Sequence, residues 1–339
     1  MDDLVALDDE RRRVLCEEAG QRLGLSAGSV EKDLWVCWML RLLFSLPHTG
    51  PHLTFKGGTS LSKGWRLIER FSEDLDVVLD RTILGFGGEA APESAPSQKQ
   101  RAKRLDALRA ACQTYIRETL LPELELQIRA AAVEAGRWRL EIDPDDVDAQ
   151  TVLFHYPAVA ARGDYVRPVV KIELGARSDT EPSAEPRITP YLADALPDVT
   201  GDCAFTVRTV APERTFWEKV ALLHEEAHRT SDAPPKARLA RHYYDVWALI
   251  QAGVAERAMA DPTLFARVAA HRVVFFRKSQ EAQASLQPGR LRIVPSDARR
   301  AAWKQDYEAM REAMFFGEAP AFEDVLAAVA AFERRFNET

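Results

Sequence analysis

Two aspartates one residue apart, Asp74 and Asp76, lie in the run Ser72-Glu73-Asp74-Leu75-Asp76-Val77-Val78-Leu79. The alternation predicts a strand, and successive strand side chains point to opposite faces. Asp74 and Asp76 then share one face, with Cα atoms about 6.5–7 Å apart, while Leu75, Val77 and Leu79 turn to the core. A carboxylate pair on one face of a rigid strand suits a hard divalent cation, which prefers oxygen ligands. Upstream, Phe55-Lys56-Gly57-Gly58-Thr59-Ser60-Leu61-Ser62-Lys63-Gly64 reads as a short strand, a glycine turn and a helix from Ser60 to Glu69. The glycine pair permits close backbone approach, and a helix N-terminus there presents N–H groups to an anion. A phosphate cradle beside a metal-holding carboxylate pair is what nucleotidyl or phosphoryl transfer requires.

Those elements need a scaffold, and 339 residues are enough to bury a sizeable core as one large domain or two smaller ones. With 46% hydrophobic and 29% charged residues the composition is that of an ordinary soluble protein. Absence of a membrane-length apolar run and of a signal-like N-terminus points to no membrane association. Cys16, Cys37, Cys112 and Cys203 are scattered without a Cys-x-x-Cys, which suggests buried thiols and a cytoplasmic setting. A net charge of -7 argues against a protein that coats nucleic acid nonspecifically, although a local basic groove remains compatible with it.

The wording FKGGTSLSKG followed by RFSEDLDVVLD resembles the AbiEii-type toxins of abortive-infection and type IV toxin–antitoxin systems. These form a branch of the nucleotidyltransferase superfamily with the DNA-polymerase-β-like palm, and the mycobacterial MenT nucleotidyltransferases are also similar. The resemblance implies an α+β fold: a palm with a mixed sheet and flanking helices, plus a C-terminal helical bundle. It places a nucleotidyltransferase core with N-terminal helices in residues 1–250 and a helical domain in 251–339. It implies NTP as substrate, Mg²⁺ or Mn²⁺ as cofactor, a tRNA 3′ end as acceptor and a cognate antitoxin as partner. Other classes stay open: transfer to a small molecule or protein, or a nucleotide-binding interaction module.

Carried onto this sequence, the resemblance makes Asp74 and Asp76 metal ligands. Gly57, Gly58, Thr59, Ser60 and Ser72 would cradle phosphate. Lys63 matches a family position that faces phosphate, and is equally readable as a solvent-facing lysine. Palms of this class carry a third carboxylate on a neighbouring strand, and Glu173, in Val166–Leu174, is the best-placed candidate as ligand or base. The alternative is an exposed glutamate paired with Lys171 or Arg177. In the helix predicted from Pro212, Lys219 matches a functional lysine, a compact cation suited to a triphosphate; the alternative is a solvated lysine beside an acid. Asp245 matches the last family motif and would orient Lys219 or the acceptor. Arg238 and Arg241 are the local candidates for phosphate or RNA contact.

Three further stretches complete the reading. A second helix, capped by Ser29, opens with Glu31-Lys32-Asp33, which also occurs in the family and is equally a solvated first turn. Residues 83–97 read as a mobile surface loop, and the basic start of the next helix (Lys99, Arg101, Lys103, Arg104) as a solvated face or the border of a nucleic-acid groove. His224-Glu225-Glu226-Ala227-His228 fits the His-Glu-x-x-His zinc pattern. It lacks the Gly-x-x-His continuation and is expected to be no more than the end of the Lys219 helix. His271, Arg272, Arg277 and Lys278 could line a groove, and Trp303, Tyr307, Met310 and Met314 recur at helical spacing as core.

Overall fold

The computed structural model describes residues 1–131, 134, 136–160, 167–229, 236–276, 279–315 and 319–338. The chain divides into two compact units: Met1–Gly64 with Ser72–Thr209, and Trp65–Phe71 with Val210–Thr339. The division therefore falls at Val210, not at 250/251, and groups the Pro212 helix with the C-terminal helices. No described helix is long and apolar enough to cross a membrane.

The first unit is built on a mixed sheet. Five of its strands are β1 (Leu53–Lys56), β2 (Leu75–Leu79), β3 (Arg139–Ile142), β4 (Thr151–His155) and β5 (Val169–Gly175), in the order β3-β4-β5-β2-β1. β2 is antiparallel to β1 and parallel to β5, with Asp76 opposite Lys56 on one side and Glu173 on the other. β5 alternates as its sequence dictates: Val170, Ile172 and Leu174 are buried, Lys171 and Glu173 half-exposed.

The helix Ala27–Phe44 is apolar on most of its surface and almost wholly buried. Its Trp35 and Trp38 meet Phe154 of β4 at ring-centroid distances of 5.9 and 5.8 Å, and Trp35 stacks on Tyr156 at 5.4 Å. Such aromatic contacts add to the area they bury. The N-cap is Ser26, whose hydroxyl accepts from the Ser29 N–H, three residues earlier than the sequence suggested. The preceding helix, Asp9–Leu23, is capped by Asp8 and stopped by Gly24 at φ 68°.

After the glycine pair the expected helix 60–69 does not form. A single α-turn (Gly57–Thr59) passes into a π-turn (Ser60–Gly64), and Arg66 takes φ 53°, so the chain leaves the helical path and Trp65–Phe71 joins the other unit. Residues 83–97 carry short turns, and the Arg104 guanidinium donates to the carbonyls of Glu89 and Ala91 at 2.7 Å each. That arginine is thus part of the packing instead of a solvated face.

The second unit is helical: Pro212–Ala227, Arg241–Gln251, Val254–Met259, Pro262–Phe275, Asp297–Met314 and Phe322–Asn337 are its longer members. Trp303, Tyr307, Met310 and Met314 are buried, which bears out the reading of that stripe as core. Ahead of the helices in the chain, two short strands, Phe205–Thr206 and Thr209–Val210, reach the division at Val210.

Candidate functional site

The carboxylate face of the sheet follows from register. Residues opposite each other on neighbouring strands point to the same side, so Lys56, Asp76, Glu173 and Thr151 form one row across β1, β2, β5 and β4. Asp76 and Glu173 are direct neighbours in that row. Asp74 lies one residue before β2, which begins at Leu75, so it precedes the strand on which the sequence placed it. Lys171, two residues before Glu173 on the same face, donates to Glu173 Oε1 at 2.7 Å. Its pKa is raised: burial opposes the shift, but the Glu173 bond and charge, followed by the charge of Asp74, outweigh it. Glu173 is therefore both the neighbour of Asp76 in the row and the partner of Lys171.

The glycine turn meets this row at a single point. Gly57 sits at φ 82°, and a Cβ built there would lie 1.9 Å from Asp76 Oδ2. Only glycine allows both that backbone conformation and that approach. Thr59 is buried, donates to the Asp74 carbonyl at 2.6 Å and lies 2.9 Å from the Ser72 hydroxyl. Gly57, Gly58, Thr59, Ser72, Asp74 and Asp76 are thus brought together.

Two residues assigned to the cradle have other tasks. Ser60 is fully buried and donates to the Gly57 carbonyl at 2.9 Å, closing the turn. Lys63 is neither solvent-facing nor turned to the cradle: its ammonium is buried, 2.8 Å from Asp33 Oδ1 and 3.5 Å from the Tyr191 ring centroid. Burial lowers its pKa, yet the Asp33 charge more than restores it and the net shift is upward.

The carboxylates on this face offer oxygen ligands, which is the chemistry of a hard cation, beside the ammonium groups of Lys56 and Lys171. Magnesium is commonly bound by one or two carboxylates, completing its shell with water and substrate phosphates. Among the described residues no three His, Cys, Asp or Glu side chains come together as a metal cage. Two carboxylates, Asp74 and Asp76, fit the number that such a cation would take from protein.

In the helical unit Lys219 and Asp245 meet directly. Lys219 Nζ donates to Asp245 Oδ2 at 2.7 Å, and Arg70 grips both oxygens of the same carboxylate, through Nε at 2.7 Å and Nη2 at 2.8 Å. All three are buried, so the solvated-lysine alternative does not hold. Burial works against the charge on Asp245, but Arg70 and then Lys219 overcome it and hold the carboxyl far below the usual range. Lys219 is pushed below an ordinary lysine by burial first; Asp245 opposes this and Arg70 adds to it. Arg241 opens the helix Arg241–Gln251 and is half-buried, and its charge also lowers the pKa of Lys219. Arg238 takes φ 65°, while its N–H and that of Ala240 donate to Asp306 at 2.6 and 2.8 Å.

Sequence reasoning gave Arg70 no role. Its partner Asp245 is 175 residues away, and an arginine in a loop carries no periodic signal. The Glu31-Lys32-Asp33 run was also misread as a possible solvated turn; all three residues are buried and paired.

The His-Glu-x-x-His run is structural. His224 Nε2 lies 3.0 Å from the Ala282 carbonyl, its Nδ1 accepts from the Arg292 N–H at 3.0 Å, and Glu225 holds Arg272 through two bonds of 2.6 Å. Both imidazole nitrogens and the glutamate are spent on the fold. His271 stacks on Phe275. The groove candidates Arg277 and Lys278 lie outside the described residues.

The family described as Nucleotidyl transferase AbiEii toxin, Type IV TA system, matches residues 39–328. No curated protein matches the chain. Among solved structures the chain is similar to MenT4, a nucleotidyltransferase toxin from Mycobacterium tuberculosis H37Rv. That likeness covers 98% of this chain and 97% of the other at 18% identity and a TM-score of 0.49.

Proposed function

The chain belongs to the AbiEii family of nucleotidyl transferase toxins of type IV toxin–antitoxin systems, and from that membership we propose a metal-dependent transfer of a nucleotide from NTP to the 3′ end of tRNA. The contact between Gly57 and Asp76 carries the reading, because it presses a phosphate-admitting turn against a ligand carboxylate. Asp74 and Asp76 would hold Mg²⁺ or Mn²⁺, which when bound would draw charge from the triphosphate oxygens. The Gly57-Gly58 turn, with Thr59 and Ser72 behind it, receives phosphate. Glu173 serves as third ligand or as the base that takes the proton of the acceptor hydroxyl. The hydroxyl oxygen forms its bond to the α-phosphorus as the bond to the β-phosphate oxygen breaks, and pyrophosphate leaves.

The family resemblance gives Lys219 the part of a catalytic cation, and a fixed charge of that kind acts electrostatically. Asp245 with Arg70 positions that ammonium, and Arg241 contributes a further cation for phosphate or RNA. A cognate antitoxin follows from the toxin–antitoxin family.

The test is transfer of label from each α-labelled NTP onto total tRNA with Mg²⁺, beside Asp76→Ala. Asp76 is half-buried between Lys56 and Glu173 in the row, so circular dichroism on the variant separates loss of activity from loss of fold. Label that appears with the native chain and vanishes in a folded Asp76→Ala supports the reading. Transfer at the native rate in that variant removes it.

A further inference from the structure

The strand ladder fixes Asp76 but stops short of Asp74. β2 begins at Leu75, paired with Ile172, so what holds the Asp74 residue in place must come from outside the ladder. One tether is already described: the Thr59 hydroxyl on the Asp74 carbonyl at 2.6 Å. The other comes from the start of the helix Ala27–Phe44.

There Glu31, Lys32 and Asp33 are buried charges on consecutive residues. Consecutive helical side chains diverge by about 100°, so each reaches a different segment. Glu31 accepts from the N–H groups of Val159 at 3.0 Å and Ala160 at 2.9 Å. Asp33 accepts from the Tyr191 N–H at 2.6 Å and pairs with Lys63 at 2.8 Å. Between them, Lys32 donates to the Arg167 carbonyl ahead of β5 at 3.1 Å and lies 2.5 Å from Glu73 Oε2. Glu73 is the residue next to Asp74. A buried ion pair is a poor device for stability alone, since apolar replacements often serve as well or better. What this pair adds is a fixed place for the backbone just ahead of β2.

We propose that Lys32 and Glu73 are positioning residues whose ion pair, with Thr59 on the other side, holds Asp74 where it can bind a divalent cation together with Asp76. The inference rests on the reading of Asp74 and Asp76 as cation ligands. It assigns a task to two side chains that touch neither nucleotide nor metal.

The experiment is a titration of the full chain with Mn²⁺, the free ion being followed by its paramagnetic resonance, with circular dichroism and thermal unfolding recorded on every variant. Lys32→Met and Glu73→Gln should each bind Mn²⁺ about 10- to 100-fold more weakly than the native chain. Lys32→Arg, which keeps the cation, should recover most of the affinity. Glu73→Gln keeps the shape of the side chain and leaves an amide oxygen that can accept from the buried Lys32, so it decides the matter should Lys32→Met not fold. Native Mn²⁺ affinity in a folded Glu73→Gln overturns the proposal. Absence of Mn²⁺ binding by the native chain, or binding that survives Asp76→Ala, removes the cation reading itself and the proposal with it.

Discussion

Asp76 and Asp245 are carboxylates held on opposite terms. Asp76 is half-buried on a sheet face, against a glycine turn, in a row with Lys56 and Glu173. Asp245 is fully buried, and its two oxygens take three charge-assisted bonds from Arg70 and Lys219. A carboxylate that is to meet a ligand keeps part of its surface accessible. One whose oxygens are spent on guanidinium and ammonium groups fixes those cations instead. The same residue type thus serves as a candidate ligand in one unit and as a keystone in the other.

The sharpest way to break this comparison is Asp245→Ala. It strands two buried cations, and loss of one partner from a buried pair costs about 3–5 kcal/mol. Denaturant unfolding should show a loss of that size; a loss below about 1 kcal/mol would mean that the cluster is not a keystone. Gly57→Ala probes the other unit. Its Cβ must displace the Asp76 carboxylate, and the residue must keep φ 82°. We expect roughly 1–3 kcal/mol of destabilisation, with nucleotide transfer falling to the level of Asp76→Ala. Native transfer by Gly57→Ala would show that the contact between turn and carboxylate is dispensable.

The smallest effect concerns His224, whose imidazole is pushed down to about 4 by burial first and then by the nearby His228, with the Ala282 and Arg292 backbone and Glu225 opposing. Above the ordinary value of 6.5 the folded and unfolded chains both hold it neutral. Between 6.5 and about 4 only the unfolded chain takes up the proton, so stability falls as pH falls through that window. His224→Gln keeps an amide donor and acceptor without titrating. Its melting temperature should depend less steeply on pH across the window, and an unchanged slope would assign the acid sensitivity to other groups.

Local patterns were legible where a short period or a fixed neighbour carried them. The alternation of Val169–Gly175 placed Lys171 and Glu173 on one face, and Trp303, Tyr307, Met310 and Met314 marked a buried stripe. The helix expected from Ser60 to Glu69 failed because tertiary contacts claim the chain beyond Gly64. The Phe71 N–H donates to the Met314 carbonyl at 2.6 Å, and the Glu69 N–H to the Tyr244 hydroxyl at 3.1 Å. Propensity over a few residues cannot compete with such anchors.

By itself the sequence determined the glycine turn, the Asp-Leu-Asp run, the alternating strand that carries Lys171 and Glu173 and the family resemblance, because each rests on residues close in the chain or on a period the backbone enforces. Tertiary structure alone decided which charges are buried and with whom: Lys63 with Asp33, Lys32 with Glu73, and Arg70 with Asp245 across 175 residues. A buried charge is stable only where the fold brings it a partner, and the identity of that partner is a property of the folded chain.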